Sequence, residues 1–110
     1  VAKKKNTYSF KRKPSHLLKE IKKLIKTNNI IPASTKVIQD ANNMCFTMHE
    51  VYEEILKLER KDFYKSGTQP NNQRVWQDTY KKEVKGCRIY IKFKVSKGKF
   101  LLTSFKQDES

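Results

Sequence analysis

Side chains able to hold a polyanion recur between Arg88 and Lys106. From Arg88 to Val95 polar and apolar residues alternate without a break, the period-two signature of a strand with one solvated face. The alternation sets Arg88, Tyr90, Lys92 and Lys94 on one side, a phenol among cations. Ser96, Lys97 and Gly98 read as a turn, and Lys99 to Lys106 as the returning strand. A two-residue turn would leave Tyr90 and Lys106 on opposite faces. A three-residue turn with Gly98 left-handed, as in a G1 bulge, sets Val95 opposite Lys99. That register lays Ile89, Ile91 and Phe93 beside Leu101, Thr103 and Phe105, and puts Tyr90 on the face of Ser104 and Lys106. It buries Phe105 while leaving Lys106 in water, so it is the register expected. Such a face suits the binding of a polyanion, whether RNA, DNA, an acidic protein or anionic lipid.

Other chemistries have little support. His16 and His49 are the only histidines, and both fall in the helical half, where they read as structural. Cys45 and Cys87 have no Cys or His companions at metal-ligand spacing, so they read as free thiols of a cytoplasmic protein, with no metal and no cofactor.

The elements that must position this face follow from periodicity. Val1 to Lys13 is a basic arm. Pro14 and Ser15 signal a helix start, and Leu17, Leu18, Ile21, Leu24 and Ile25 make an apolar stripe with lysines on the other side. Asn28 and Asn29 stop that helix, and Ile30 to Pro32 read as a link. Ser34 or Thr35 caps a second helix ending at Asn42 and Asn43. Thr47 and Glu50 form a capping box before a third helix carrying Val51, Tyr52, Ile55, Leu56 and Leu58. Asp62 to Ser66 and Arg74 to Tyr80 read as two further strands, joined by the turn-rich Gly67 to Gln73. Trp76 is expected in the core. Helices first and strands after argue an α+β domain, with N-terminal helices packed on a C-terminal antiparallel sheet. The division is a 1–13 arm, a mainly helical 14–60 and a sheet over 61–107, within one domain spanning 1–110.

Composition agrees. At 110 residues the chain holds one domain, lean in apolar residues at 36% but carrying six Phe, five Tyr and one Trp. Disorder throughout is not expected, and no apolar run nears the ~18 residues of a membrane span. Without a charged-then-apolar stretch in its first residues, a secretory signal is not expected. The net charge of +14 is uneven: +9 over residues 1–30, −2 over 31–62 and +7 over 63–110. Cationic ends around an acidic middle make a directed positive field, and a polyanion is its natural partner.

Four short blocks are specific enough to indicate a family. Asp62 to Ser66 (DFYKS), Trp76 to Tyr80 (WQDTY), Tyr90 to Lys92 (YIK) and Ser104 to Lys106 (SFK) resemble the motility quorum-sensing regulator (MqsR) toxins. The similarity is strong over 62–80 and 86–106 and faint between 30 and 60. The chain departs from the pattern in its longer basic arm, in the 67–74 loop and in about one extra hairpin residue. The resemblance implies a RelE-like ribonuclease toxin fold. It also implies a metal-independent, sequence-preferring mRNA interferase of a type II toxin–antitoxin system, silenced by a cognate MqsA-like or other antitoxin. The family's catalytic group falls on Lys65, Gln77, Tyr90 and Lys106.

On that reading the 2′-OH of RNA attacks the adjacent phosphorus. Lys65 and Lys106 stabilise the developing charge, and Gln77 orients the phosphate or sugar. Tyr90 is one candidate for proton transfer, and a lysine crowded by Arg88 and Lys92 is another. Arg74, Lys81, Lys82, Arg88, Lys92 and Lys94 read as phosphate-steering charges of an RNA-binding surface. Two other classes compete. One is a non-catalytic RNA- or DNA-binding module using the same basic face; the other is a protein whose cationic surface serves only an acidic partner.

Overall fold

The computed structural model describes residues 9–69 and 72–109. Lys3, Lys4 and Lys5 of the basic arm, and Pro70 and Asn71 of the expected turn, lie outside them. Three helices and a six-stranded sheet make an α+β chain. The helices are α1 (Leu18–Lys26), α2 (Thr35–Asn43) and α3 (Met48–Leu56). The strands are β1 (Phe10–Lys11), β2 (Ile30–Ile31), β3 (Phe63–Gln69), β4 (Asn72–Val84), β5 (Cys87–Ser96) and β6 (Lys99–Gln107). Their spatial order is β1-β3-β4-β5-β6-β2, antiparallel throughout except for β2 against β6. No helix among the described residues is long and apolar enough to cross a membrane.

The caps behave as their chemistry requires. Ser34 Oγ accepts from the Val37 N–H at the start of α2. At α3, Thr47 Oγ1 accepts from the Glu50 N–H at 3.1 Å, while Glu50 Oε1 accepts from the Thr47 N–H at 2.9 Å. Helix α1 begins later than expected, and Leu17 lies outside the buried stripe at 61% exposure; Ile21 and Ile25 carry the burial. The expected link at Ile30–Ile31 is a short strand, because Ile30 and Ile31 pair with Phe100 and Leu101.

Buried residues from all three helices and one face of the sheet form a single cluster. Its aromatic members meet edge-to-face or stacked: Phe46 with Phe105 at 5.3 Å, Phe63 with Tyr80 at 5.4 Å, Tyr80 with Phe93 at 5.6 Å. Tyr52 of α3 meets Phe100 of β6 at 6.2 Å.

The β5–β6 hairpin corrects the sequence reading. Its turn has two residues, Lys97 and Gly98, with φ of 53° and 74°, so Ser96 pairs with Lys99 and Val95 with Phe100. Positive φ at both central positions matches the right-handed twist of the flanking strands, and Gly98 takes that conformation without a Cβ penalty. This turn sends Phe100 and Leu102 inward, whereas Leu101 and Thr103 were expected there. Continued regularly, it would also bury Lys106. A β-bulge prevents that: Phe93 pairs with Leu102 and Lys92 with Ser104, leaving Thr103 unmatched. Beyond the bulge the phase is inverted, Phe105 is buried, and Tyr90 faces Lys106 after all.

Candidate active site

The face opposite the buried cluster is built by β1, β3, β4, β5 and β6. Lys65 pairs with Thr79, Thr79 with Lys92, and Lys92 with Ser104, one row across four strands. Gly67 pairs with Gln77, and a further row runs from Lys81 through Tyr90 to Lys106. Over the middle of these rows lies a cleft of about 280 Å³ lined by Phe10, Lys65, Gly67, Thr68, Gln77, Thr79, Tyr90 and Lys92.

Three residues of the expected catalytic group, Lys65, Gln77 and Tyr90, therefore line one cleft, with Lys92 beside them. Lys106 lies on the other side of the Tyr90 ring, its Nζ 5.5 Å from the ring centroid. There it borders a hollow of about 590 Å³ that also includes Tyr90, Lys36 and Asp40. Tyr90 is thus the wall shared by the two spaces.

Gln77 is held from a position that the sequence did not indicate. Bulging Thr103 out of register aims its hydroxyl across the sheet, where it donates to Gln77 Oε1 at 2.7 Å and lies 3.1 Å from the Lys92 carbonyl. With its oxygen engaged, the Gln77 amide presents N–H donors rather than an acceptor. Donors are what a phosphoryl oxygen requires.

The remaining cations divide by face. Lys81 and Arg88 both reach Asp108, at 3.2 and 3.4 Å, so one carboxylate offsets half of their combined charge. Lys81 also lies over the Tyr64 ring at 3.9 Å. Lys94 donates to Gln69 Oε1 at 2.7 Å. Lys82 sits on the buried side of β4, opposite Ile89, and pairs with Glu54 of α3 at 3.5 Å. Arg74 is exposed in the irregular stretch between Asn72 and Trp76, and does not line the cleft. Only Lys92 of the expected phosphate-steering residues borders it.

Trp76 is half-buried rather than in the core, with Lys11 Nζ 4.4 Å from its ring. Next to Gln77, Asp78 is fully buried. Its carboxylate accepts from the Ser15 N–H at 3.0 Å and the His16 N–H at 2.9 Å, while Ser15 Oγ and Ser66 Oγ share a hydrogen bond of 2.8 Å. These contacts fasten the approach to α1 against β3 and β4. The first wall of the cleft rides on the same segment: Phe10 pairs with Gly67, and Lys65 Nζ lies 4.4 Å from the Phe10 ring. Neither Asp78 nor Phe10 carries a local signal in the sequence, since both act on partners more than fifty residues away.

Fold and site together define a small α+β domain that presents a polar, lysine-bordered cleft on the side of its sheet away from the core. Residues 13–107 match the family described as "Motility quorum-sensing regulator, toxin of MqsA", and the chain belongs to that family. It is also similar to the mRNA interferase toxin MqsR of Escherichia coli (strain K12), with 28% identity over 97 residues, covering 88% of this chain and 97% of that protein.

Proposed function

We propose that this chain is a ribonuclease toxin that cleaves mRNA at the cleft walled by Tyr90. In the fuller form of this reading it is a sequence-preferring mRNA interferase of RelE-like fold. It acts in the cytoplasm as the toxin of a type II system, neutralised by a cognate antitoxin. The observation that carries the proposal is the gathering of Lys65, Gln77, Tyr90 and Lys92 around one cleft, with Lys106 across the Tyr90 ring, in a member of a toxin family.

The chemistry needs no redox step. The RNA 2′-oxygen loses its proton to a base and bonds to the adjacent phosphorus. The bond from phosphorus to the 5′-oxygen breaks, and that oxygen takes up a proton. The products are a 2′,3′-cyclic phosphate and a 5′-OH. Lys65 and Lys106 offset the charge that develops on the phosphoryl oxygens, and the Gln77 amide donates to one of them. Tyr90, central to both spaces, relays the proton; a lysine crowded by Arg88 and Lys92 is the alternative base.

Purified protein is incubated with RNA in excess chelator and the product ends are identified. Cyclic-phosphate and 5′-OH ends are the expected result, with Tyr90→Phe and Lys65→Ala each slowing cleavage at least tenfold. Intact RNA that binds with strong salt dependence would replace this reading with a non-catalytic binding module. Cleavage unaffected by either substitution would refute the assignment of residues.

A further inference from the structure

Three large apolar or aromatic side chains are exposed among the described residues, and two of them, Phe10 at 55% and Tyr64 at 49%, flank Lys65. Lys65 Nζ lies 4.4 Å from the Phe10 ring centroid and 5.5 Å from that of Tyr64. The two rings, with Lys11, Arg12 and Lys65, enclose a hollow of about 240 Å³. It shares Phe10 and Lys65 with the cleft. Aromatic walls, a cationic rim and continuity with a phosphate-handling lysine form a chemically specific combination. One nucleotide supplies the complement of all three, a flat π surface joined to a phosphate at fixed reach.

We infer that Phe10 and Tyr64 form a nucleobase subsite, which takes the base of a nucleotide flanking the cleaved bond. The inference rests on the ribonuclease reading for the identity of the ligand.

Three structural details support it. Gly67 lies beneath Phe10, and a Cβ there would stand 2.8 Å from two of its ring atoms, so the missing side chain is what lets the ring lie close against the sheet. Tyr64 is the extra residue where the β3–β4 register shifts between Phe63 and Lys65, and that irregularity turns its ring toward Lys65 and Lys81. Phe10, Lys11 and Arg12 precede residues 13–107, the part matched to the family. The Phe10 half of the subsite is therefore contributed by this chain's own basic arm. Stacking on an aromatic side chain tolerates any base, and its removal costs roughly tenfold or more in affinity.

The test uses 2′-O-methyl RNA oligonucleotides, which lack the attacking hydroxyl, each carrying the fluorescent base 2-aminopurine at one position. The wild-type chain quenches the fluorophore at one or two adjacent positions. Phe10→Ala and Tyr64→Ala each abolish that quenching and weaken binding about tenfold. Phe10→Leu, which keeps bulk without a π face, behaves like Phe10→Ala, whereas Phe10→Tyr retains the quenching. Gly67→Ala displaces the Phe10 ring and reproduces the Phe10→Ala loss. Undiminished quenching in Phe10→Ala, or full retention by Phe10→Leu, would overturn the subsite. Cleavage of unmodified RNA by the wild-type chain is scored in parallel. Cleavage without position-specific quenching rejects the subsite alone, and quenching without cleavage rejects the ribonuclease reading alone.

Discussion

Replacing Asp78 by alanine removes the only side chain that accepts from both the Ser15 and His16 N–H groups among the described contacts. Asp78 is fully buried, so water does not readily take its place. A buried donor deprived of its acceptor costs about 1–3 kcal/mol, and two are affected. Allowing for partial relaxation of the arm, the expected destabilisation is about 3 kcal/mol. That is a large fraction of the roughly 5–15 kcal/mol that holds a domain folded. At about 4 °C per kcal/mol it corresponds to a fall in Tm of about 12 °C. Asp78→Asn keeps one acceptor oxygen and is expected to lose about half as much. Urea unfolding monitored by circular dichroism gives the stability change, provided the slope with denaturant is unaltered. Amide hydrogen exchange supplies the local readout: Ser15 and His16 are protected in the wild-type chain and exchange rapidly in Asp78→Ala. A loss below about 1 kcal/mol, or fast exchange at both amides in the wild-type chain, would refute the reasoning, since it would mean that these hydrogen bonds are not made in solution.

Removing the Thr103 hydroxyl with Thr103→Val should lower kcat for RNA cleavage about tenfold with KM little changed, the effect of one lost hydrogen bond on the orientation of Gln77; Thr103→Ser should restore it. An unchanged kcat would show that Gln77 is positioned by something else. Burial, and next the negative charge of Asp78, push the Tyr80 phenol well above its ordinary range. Its contribution to stability is therefore complete below pH ~10 and lost as pH rises toward the folded value, so Tyr80→Phe should flatten the alkaline side of a plot of Tm against pH. The Thr47 N–H holds the Glu50 carboxyl below its usual range. Its contribution is present above pH ~4.3 and lost as pH falls through the lower folded value, so the Tm gap between wild type and Glu50→Gln should close on acidification. An unchanged gap at low pH would show that the capping box is not formed in solution.

Features written into neighbouring residues were legible in the sequence. The capping box at Thr47 and Glu50, a cap at Ser34 or Thr35 (Ser34 in the structure) and the alternation over Arg88 to Val95 each depend on spacings of two to four residues, and the structure has all of them. That Tyr90 and Lys106 share a face was also expected, though by the wrong route; the expected register pairs Tyr90 with Ser104, whereas the structure pairs it with Lys106. A three-residue turn and a two-residue turn followed by a bulge give the same final phase but registers two residues apart, and the burial of Phe100 and Leu102 in place of Leu101 and Thr103 distinguishes them. What escaped were contacts set by tertiary placement. Lys82 carries the same charge as its neighbour Lys81, but the strand turns it toward Glu54. Asp78 reads as one acid among cations until the start of α1 is brought to it. Of the candidate site, the residue types and the shared face could be read; the aromatic wall from the arm and the hydroxyl behind Gln77 could not.

The two shortest strands sit at the two margins of the sheet: β1 covers Ser66 and Gly67 of β3, and β2 covers Phe100 and Leu101 of β6. Both come from the first 31 residues, with α1 between them. One segment of chain thus fends off lateral growth on both sides, limiting pairing with another copy where backbone groups would otherwise be open. The arrangement also links assembly to the cleft. Any molecule that adds a strand to β3 over Ser66 and Gly67 has to evict β1, and with it the Phe10 ring beside Lys65. Competition for two residues of backbone at the sheet margin would then dismantle the cleft wall without touching Tyr90 or Lys106.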